Sequence, residues 1–398
     1  MMVDKKRKVP NLRFKGFTND WVQRNLGEVV QKVKSYSLSR DVETEDDTGF
    51  EYIHYGDIHT QKADVIDGNT KLPSIVPGDY DLVQVGDVIV ADASEDYLGI
   101  AEPAVVVNKP TQNLVAGLHT IAIRPNGIHP LFLYYLLHTQ LFKHFGYRTG
   151  TGLKVFSISY PNLAKFTFAM PTLDEQEAIA NTLRDMDNLI AANQRKLDLL
   201  KEQKKGLLQK MFAEKNSKQP VLRFKGFHDD WEQRKLGDVT DIKTGSRNHQ
   251  DSVENGKYPF FVRSEKIERL DEYDFDTTAI LIPGDGRIGE IFHYYDGKFA
   301  LHQRVYKVDN FNGIDVLFLL SLFRYSFRRH ALRLNAQGTV PSLRLPMFTK
   351  WEILLPKLEE QEKIGQLFQS LDRTITLHDK KIQYLKQLKR GLLQKMFM

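Results

Sequence analysis

The chain has 398 residues, of which 41% are hydrophobic and 27% charged, with a formal net charge of +5. That length suits two or three domains, each large enough to bury its own core. No run of eighteen apolar residues occurs, which excludes a helical membrane span. Cysteine is absent, so disulfide staples and cysteine-based zinc sites are excluded, and a reducing compartment such as a cytoplasm is expected. A pI near 8.9 is compatible with a polyanionic partner but too mild to demand one.

From the N-terminus, Lys5-Lys6-Arg7-Lys8 reads as a solvated basic arm with no apolar stretch of the kind a secretory signal needs. Leu12-Arg13-Phe14-Lys15-Gly16-Phe17 follows, and it recurs unchanged as Leu222-Arg223-Phe224-Lys225-Gly226-Phe227. Trp21 is matched by Trp231 and Leu26-Gly27 by Leu236-Gly237, at a constant offset of 210. A second matched block closes each copy at an offset of 185. Glu175-Gln176-Glu177 returns as Glu360-Gln361-Glu362, and Gly206 to Phe212 returns as Gly391 to Phe397. The first copy is therefore longer by 25 residues, all between the matched ends. Ser157 and Pro161 match Ser342 and Pro346 in the later register. The frame is duplicated and the middles have diverged.

Between the frames both copies read as mixed strand and helix. Strands are expected at Val88–Val90, Ala104–Val107, His119–Ile123, Ala279–Ile282 and Gln303–Val308, and amphipathic helices over Pro130–Phe145 and Asp315–Leu332. The acidic stretch from Asp41 to Asp47 reads as a solvated loop. After each Glu-Gln-Glu, apolar residues follow a 4-3 rhythm. One seam runs Ile179, Leu183, Met186, Ile190, Asn193, Leu197, Leu200; the other runs Ile364, Phe368, Leu371, Ile375, His378, Ile382, Leu385. Both continue through a lysine, Lys204 and Lys389, to the closing methionines. Such a stripe, held for more than four heptads, predicts coiled-coil helices about 57 Å long. Pro171 and Pro356 stand just before them. Asn193 and His378 are expected to set register, His378 being more readily a register residue than a metal ligand or pH switch.

The expected division is an arm and first domain at 1–172, a helix at 173–212, a linker at 213–219, a second domain at 220–355 and a second helix at 356–398. The class is α+β. If a pseudo-dyad relates the copies, the helices run antiparallel and the chain is nearly circular, with Phe397 near Leu12 as Phe212 is near Leu222.

Catalytic signatures fail one by one. Gly284-Asp285-Gly286-Arg287-Ile288-Gly289 fits a dinucleotide-binding spacing, yet Glu290–Tyr295 reads as strand, so no helix N-terminus awaits a phosphate. Asp285 with Asp296-Gly297-Lys298 loosely mimics a nuclease set, but Asp-Gly between strand-like runs is the stronger hairpin signal. His54 and His59 lack further convincing metal ligands, and no metal site is expected. There is no phosphate-binding loop with Gly-Lys-Ser/Thr for ATP, and no adenine-methylation motif of the Asn/Asp-Pro-Pro-aromatic type. No chemistry is expected of the chain alone.

The Leu-Arg-Phe-x-Gly-Phe…Trp…Leu-Gly opening, the Pro-x-Leu-x-Glu-Gln-Glu block and the Leu-Leu-Gln-Lys-Met-Phe ending resemble the specificity subunit of Type I restriction-modification systems, twice over and across nearly the whole chain. The resemblance implies two target-recognition domains, each reading half of a bipartite asymmetric site in double-stranded DNA, and an antiparallel coiled coil that sets the spacer. It also implies two methyltransferase subunits using S-adenosylmethionine to methylate adenine N6, and restriction subunits using ATP and Mg. No cofactor is expected in this chain. A stand-alone DNA-binding regulator and a coiled-coil protein-interaction scaffold are the alternatives.

Candidate DNA contacts are loop-like, basic and rich in short hydrogen-bonding side chains. In copy one they are Lys34, Ser35, Tyr36, Ser37 and Arg40, then Arg148, Thr149, Thr151 and Lys154. In copy two they are Lys243, Thr244, Ser246, Arg247 and Asn248, then Arg263 and Ser264, then Gln337, Thr339 and Arg344.

Overall fold

The computed structural model describes residues 9–96, 99–152, 155–213, 217–335 and 341–397. It divides into two compact units, Met1–Ala192 with Ile382–Met398, and Asn193–Lys381. The cut falls inside the two long helices, Leu173–Met211 and Leu358–Met396. The reason is packing: each domain takes the start of its own helix and the end of the other into one core.

In the first unit, Ile179 and Leu183 share a core with Met396 and Phe397. In the second, Met211 and Phe212 share a core with Ile364 and Phe368. Asp187 pairs with Lys389 in the first unit, and Asp372 with Lys204 in the second. Going forward along one helix therefore meets earlier residues of the other, an antiparallel pairing within each unit. The two seam lysines thus sit half-buried because each faces a carboxylate across the seam. Every seam residue named above is buried or half-buried. Asn193 is buried, and the buried Nδ1 of His378 has no partner among the described residues.

The repeated motif explains itself locally. Phe14 to Phe17 and Phe224 to Phe227 each close a turn, with Gly16 at φ +106 and Gly226 at φ +98. A β-turn with positive φ at its third residue selects glycine. The turn aims the preceding arginine at the helix start. Arg13 grips Glu175 through Nε and Nη2 at 2.6 and 2.7 Å, and Arg223 grips Glu360 at 2.7 and 2.8 Å. Both glutamates are buried, and Trp21 adds an indole N–H to Glu175 at 3.2 Å. The neighbouring glutamines act as braces. Gln176 donates to the Pro171 carbonyl and accepts from His129 N–H; Gln361 donates to the Pro356 carbonyl and accepts from Asp315 N–H. Each brace ties the first turn of a long helix to the start of the domain's own helix, at Pro130 or Val316.

A two-stranded ribbon completes each frame in equivalent register: Val22–Asn25 on Thr167–Met170, and Glu232–Lys235 on Glu352–Leu355. The middles differ. The first unit holds a five-stranded sheet ordered Val30–Val33, Thr120–Pro125, Val88–Ala91, Pro103–Val106, Val65–Ile66, plus a four-stranded sheet around Phe50–Ile53. The second holds a six-stranded sheet built on the long hairpin of Phe275–Pro283 and His293–Leu301.

Three local expectations need correction. Asp296-Gly297 is no hairpin turn: it lies inside the strand His293–Leu301, opposite Thr278 and Thr277, and the turn is made by the residues between Pro283 and His293. The strand expected from Glu290 accordingly starts at His293. The helix expected over Pro130–Phe145 is two helices, Pro130–Leu137 and Gln140–Thr149, because the Thr139 hydroxyl accepts from Phe142 N–H and starts a new one. In copy two the corresponding helix stays continuous from Val316 to Leu334 by widening to a π turn at Phe323–Phe327.

Two predictions follow from the frame. Leu12 N–H donates to the Lys395 carbonyl at 2.8 Å just as Leu222 N–H donates to the Lys210 carbonyl at 2.7 Å. A circular permutant that begins at the second domain and joins the natural ends is expected to fold with wild-type circular dichroism; an unfolded permutant would contradict the equivalence of the two junctions. Replacing Arg223 by Ala strands the buried Glu360 carboxylate and is expected to cost about 3–5 kcal/mol in denaturant unfolding.

Candidate nucleic-acid interface

The second unit gathers candidates that lie far apart in sequence. Arg247 and Asn248 follow the strand Asp241–Thr244 and meet the turn after Leu301. There Gln303 N–H donates to the Arg247 carbonyl at 2.9 Å, and the Gln303 amide donates to the Asn248 side chain at 2.7 Å. Next along, Gly284 N–H donates to the Arg304 carbonyl, and Leu343 N–H donates to the Gly284 carbonyl. Asp285 bridges to Ser342 and faces Arg263 at 3.4 Å. Arg247–Asn248, Arg263–Ser264 and Arg344 are thus collected around two turns, Gly284–Asp285 and His302–Arg304.

Charge within this cluster is partly committed. Arg247 pairs with Asp274 at 2.8 Å and Glu272 at 2.9 Å, and these hydrogen bonds raise its pKa. Burial pushes the His302 imidazole below its ordinary range, and the Arg263 charge pushes it the same way. A neutral ring fits its geometry, since its Nδ1 accepts from Arg304 N–H at 2.9 Å. Arg263, Arg344 and Arg304 are exposed, as are Lys243, Thr244, Ser246 and Asn248. Lys243 lies opposite Lys307 in the sheet. The Ser264 hydroxyl is turned back on the Lys266 carbonyl. Gln337 and Thr339 lie outside the described residues, as does Lys154.

Gln303, Arg304 and Asp285 lie in the same cluster and join the candidates. Gln303 and Arg304 were absorbed into a strand that begins only at Val305, and Asp285 was weighed only as part of catalytic motifs. The polar Gln-Arg pair ahead of an apolar run was the available signal.

In the first unit the candidates form two groups. Arg148 and Thr149 end the helix Gln140–Thr149, where the Thr149 hydroxyl is bonded back to the Phe145 carbonyl, and Thr151 bridges Ser157. Phe156–Ser157 in turn pairs with Ala93–Ser94, and Ile158 N–H reaches the Asp92 carbonyl. Asp92 meets His119 at 3.1 Å; burial raises its pKa, against the opposing pull of that contact. Lys34 and Tyr36 belong elsewhere. Lys34 lies 4.7 Å over the Tyr36 ring, which packs edge-on against Tyr80, and the Tyr36 hydroxyl accepts from Asp81 N–H. The Ser35 hydroxyl accepts weakly from Ala122 N–H, and Ser37 is exposed. Arg40 is engaged internally, at 2.6 Å from Glu43 and 3.0 Å from the buried Asp57.

His54 and His59 are also accounted for within the domain. His54 accepts from Gly56 N–H, and His59 contacts the Ala93 carbonyl. Among the described residues no cluster of His, Cys, Asp and Glu could hold a metal, and no helix is long and apolar enough to cross a membrane.

A duplicated frame around two unlike polar surfaces defines a class of recognition protein, and comparison with known proteins identifies the class. The chain belongs to the Type I restriction modification DNA specificity domain family, whose model matches residues 18–202 and 228–387. It is 24% identical to the putative MjaX type I restriction enzyme specificity subunit of Methanocaldococcus jannaschii, over 94% of this chain and 92% of that one. The EcoDI specificity subunit of Escherichia coli is 29% identical, over 41% of this chain and 37% of its own length. In fold the chain is similar to the crystal structure of the Type I restriction-modification S subunit from M. genitalium, with a TM-score of 0.67, 17% identity and coverage of 98% and 99%. A second likeness, at TM-score 0.52 and 17% identity over 96% of this chain and 99% of the other, is to a chain from a study of type I restriction-modification complex assembly and conformational transition.

Arg40→Ala removes the partner of a buried carboxylate. We expect a loss of about 1–3 kcal/mol by thermal or denaturant unfolding, at the lower end because Arg40 is itself half exposed. Sequence preference on DNA should be retained, and a changed preference at wild-type stability would return Arg40 to the interface.

Proposed function

We propose that this chain is the non-catalytic, sequence-reading subunit of a Type I restriction-modification assembly. Each domain reads one half of a bipartite, asymmetric site in double-stranded DNA, and the paired helices set the spacer and dock two methyltransferase subunits. Those partners use S-adenosylmethionine to methylate adenine N6, and restriction subunits using ATP and Mg complete the assembly, in the cytoplasm. One observation carries this reading. Both units repeat the arginine–glutamate grip, the glutamine brace and the order of five sheet strands, whereas the side chains carried on that frame differ, Gly284 and Arg304 standing where the first unit has Asp92 and His119. Repeated parts suit assembly; unlike parts suit the two halves of an asymmetric site. Half-sites about one helical turn apart, roughly 34–36 Å, suit readers borne on a rigid spacer.

The test is a domain swap read by genome-wide mapping of methylated adenines. Replacing residues 28–170 by the corresponding segment of another family member is expected to change one half of the methylated motif and leave the other half and the spacer intact. A contiguous motif, a motif independent of this gene, or a change in both halves would overturn the proposal.

A further inference from the structure

A cleft of about 820 Å³ lies in the second unit between the first long helix and the helical run after Val316. Lys201 and Lys205, four apart and so on one helix face, line one wall. Arg324, Arg328 and Arg329 line the other. The turn from Gly284 closes one end. Gly289 there has φ +66, and a Cβ on it would stand 2.7 Å from the Arg328 Cα, so the turn can rest on the helix only with glycine at this position. This approach brings Glu290 to within 2.9 Å of Arg328.

The positive charge of the cleft is incompletely answered. Asp372 binds both Lys204 and Arg324, and Glu290 binds Arg328 and Arg287. Lys201, Lys205 and Arg329 have no hydrogen-bond or ion-pair partner among the described residues, and all three are exposed. A cleft lined by six cations and one carboxylate, Glu290, concentrates a positive field and draws an extended polyanion. Beside Gln209 and Glu290, its exposed polar groups are cationic donors on long stems, the chemistry that holds phosphates and carries no base preference. One turn joins the cleft to the candidate interface along the chain: Gly284 and Asp285 sit in the interface, and Gly289 and Glu290 sit at the cleft.

We infer that this cleft holds the phosphate backbone of the DNA duplex beside the half-site read by the second domain. The inference rests on the DNA-recognition reading above and adds a sequence-independent anchor to it. At the offset of 185, Lys201 and Lys205 return as the basic pair Lys386 and Arg390, so the copies differ on the other wall, where His138 to His144 of copy one contains a single lysine, Lys143, and no arginine.

The assembly is tested with its modification partners on a duplex carrying the methylated motif, by measuring affinity across a salt series. Each phosphate contact contributes about 0.9 to the slope of log affinity against log salt. The triple variant Lys201→Gln, Lys205→Gln, Arg329→Gln is expected to flatten that slope by roughly 2–3. Preference for the motif over a scrambled duplex should not change. The charge-keeping variant Lys201→Arg, Lys205→Arg, Arg329→Lys should restore the slope. An unchanged slope in the triple variant, with the motif still preferred, would overturn the cleft assignment and leave the recognition reading standing. Loss of a partner subunit at unchanged slope would also overturn it, giving the cleft to an acidic protein surface. Failure of the wild-type assembly to prefer the motif would refute the recognition reading itself.

Discussion

The buried arginine–glutamate pair at the start of each long helix is the constraint on which the rest of each unit depends. A carboxylate withdrawn from water is tolerated only when it is paired and hydrogen-bonded. Glu175 meets this with a two-pronged arginine and an indole N–H, and Glu360 with its own two-pronged arginine. To place that arginine, the chain must turn sharply at Gly16 or Gly226 and bring Trp21 or Trp231 down on the core. The neighbouring glutamine then fixes where the domain's own helix begins. Three polar residues therefore set the angle between domain and helix, and apolar packing fills in behind them.

Much of this was legible in the sequence because it was written twice. The repeat offsets picked out Arg13, Glu175 and their partners in copy two, and the 4-3 rhythm identified the seam from Ile179 to Leu385. The polar seam residues Lys204 and Lys389 were also visible, though not their reason, since the carboxylates they meet are on the opposite helix. What escaped depended on tertiary geometry. Asp296-Gly297 has the composition of a turn, but a nine-residue strand pairs straight through it, and ladder hydrogen bonds outweigh a local preference of about 1 kcal/mol. Helices broken at Thr139 or widened at Phe323 look alike in a periodicity plot, because both keep the apolar face in contact with the core.

The interface was the least legible part. Its candidates were chosen for residue type and loop context, and type does not reveal prior engagement. Arg40 and Arg247 have the right chemistry, yet each is bound to two carboxylates of its own domain. Gln303 and Arg304 were overlooked because two residues of a tight turn resemble the end of the strand that follows. The residues brought together around Gly284 are up to a hundred positions apart, and no local pattern encodes that meeting.

The division of the helices between units also bears on synthesis. Residues 193–381 form an uninterrupted unit, so the second domain has all its core residues once they leave the ribosome. The first domain, although made earlier, lacks Met396 and Phe397, which pack on Phe132 and its neighbours. It must wait, with an apolar gap beside Trp21, until the chain has come round to cover it. The domain translated first is thereby the last to be finished, and the end of the second helix acts as its lid.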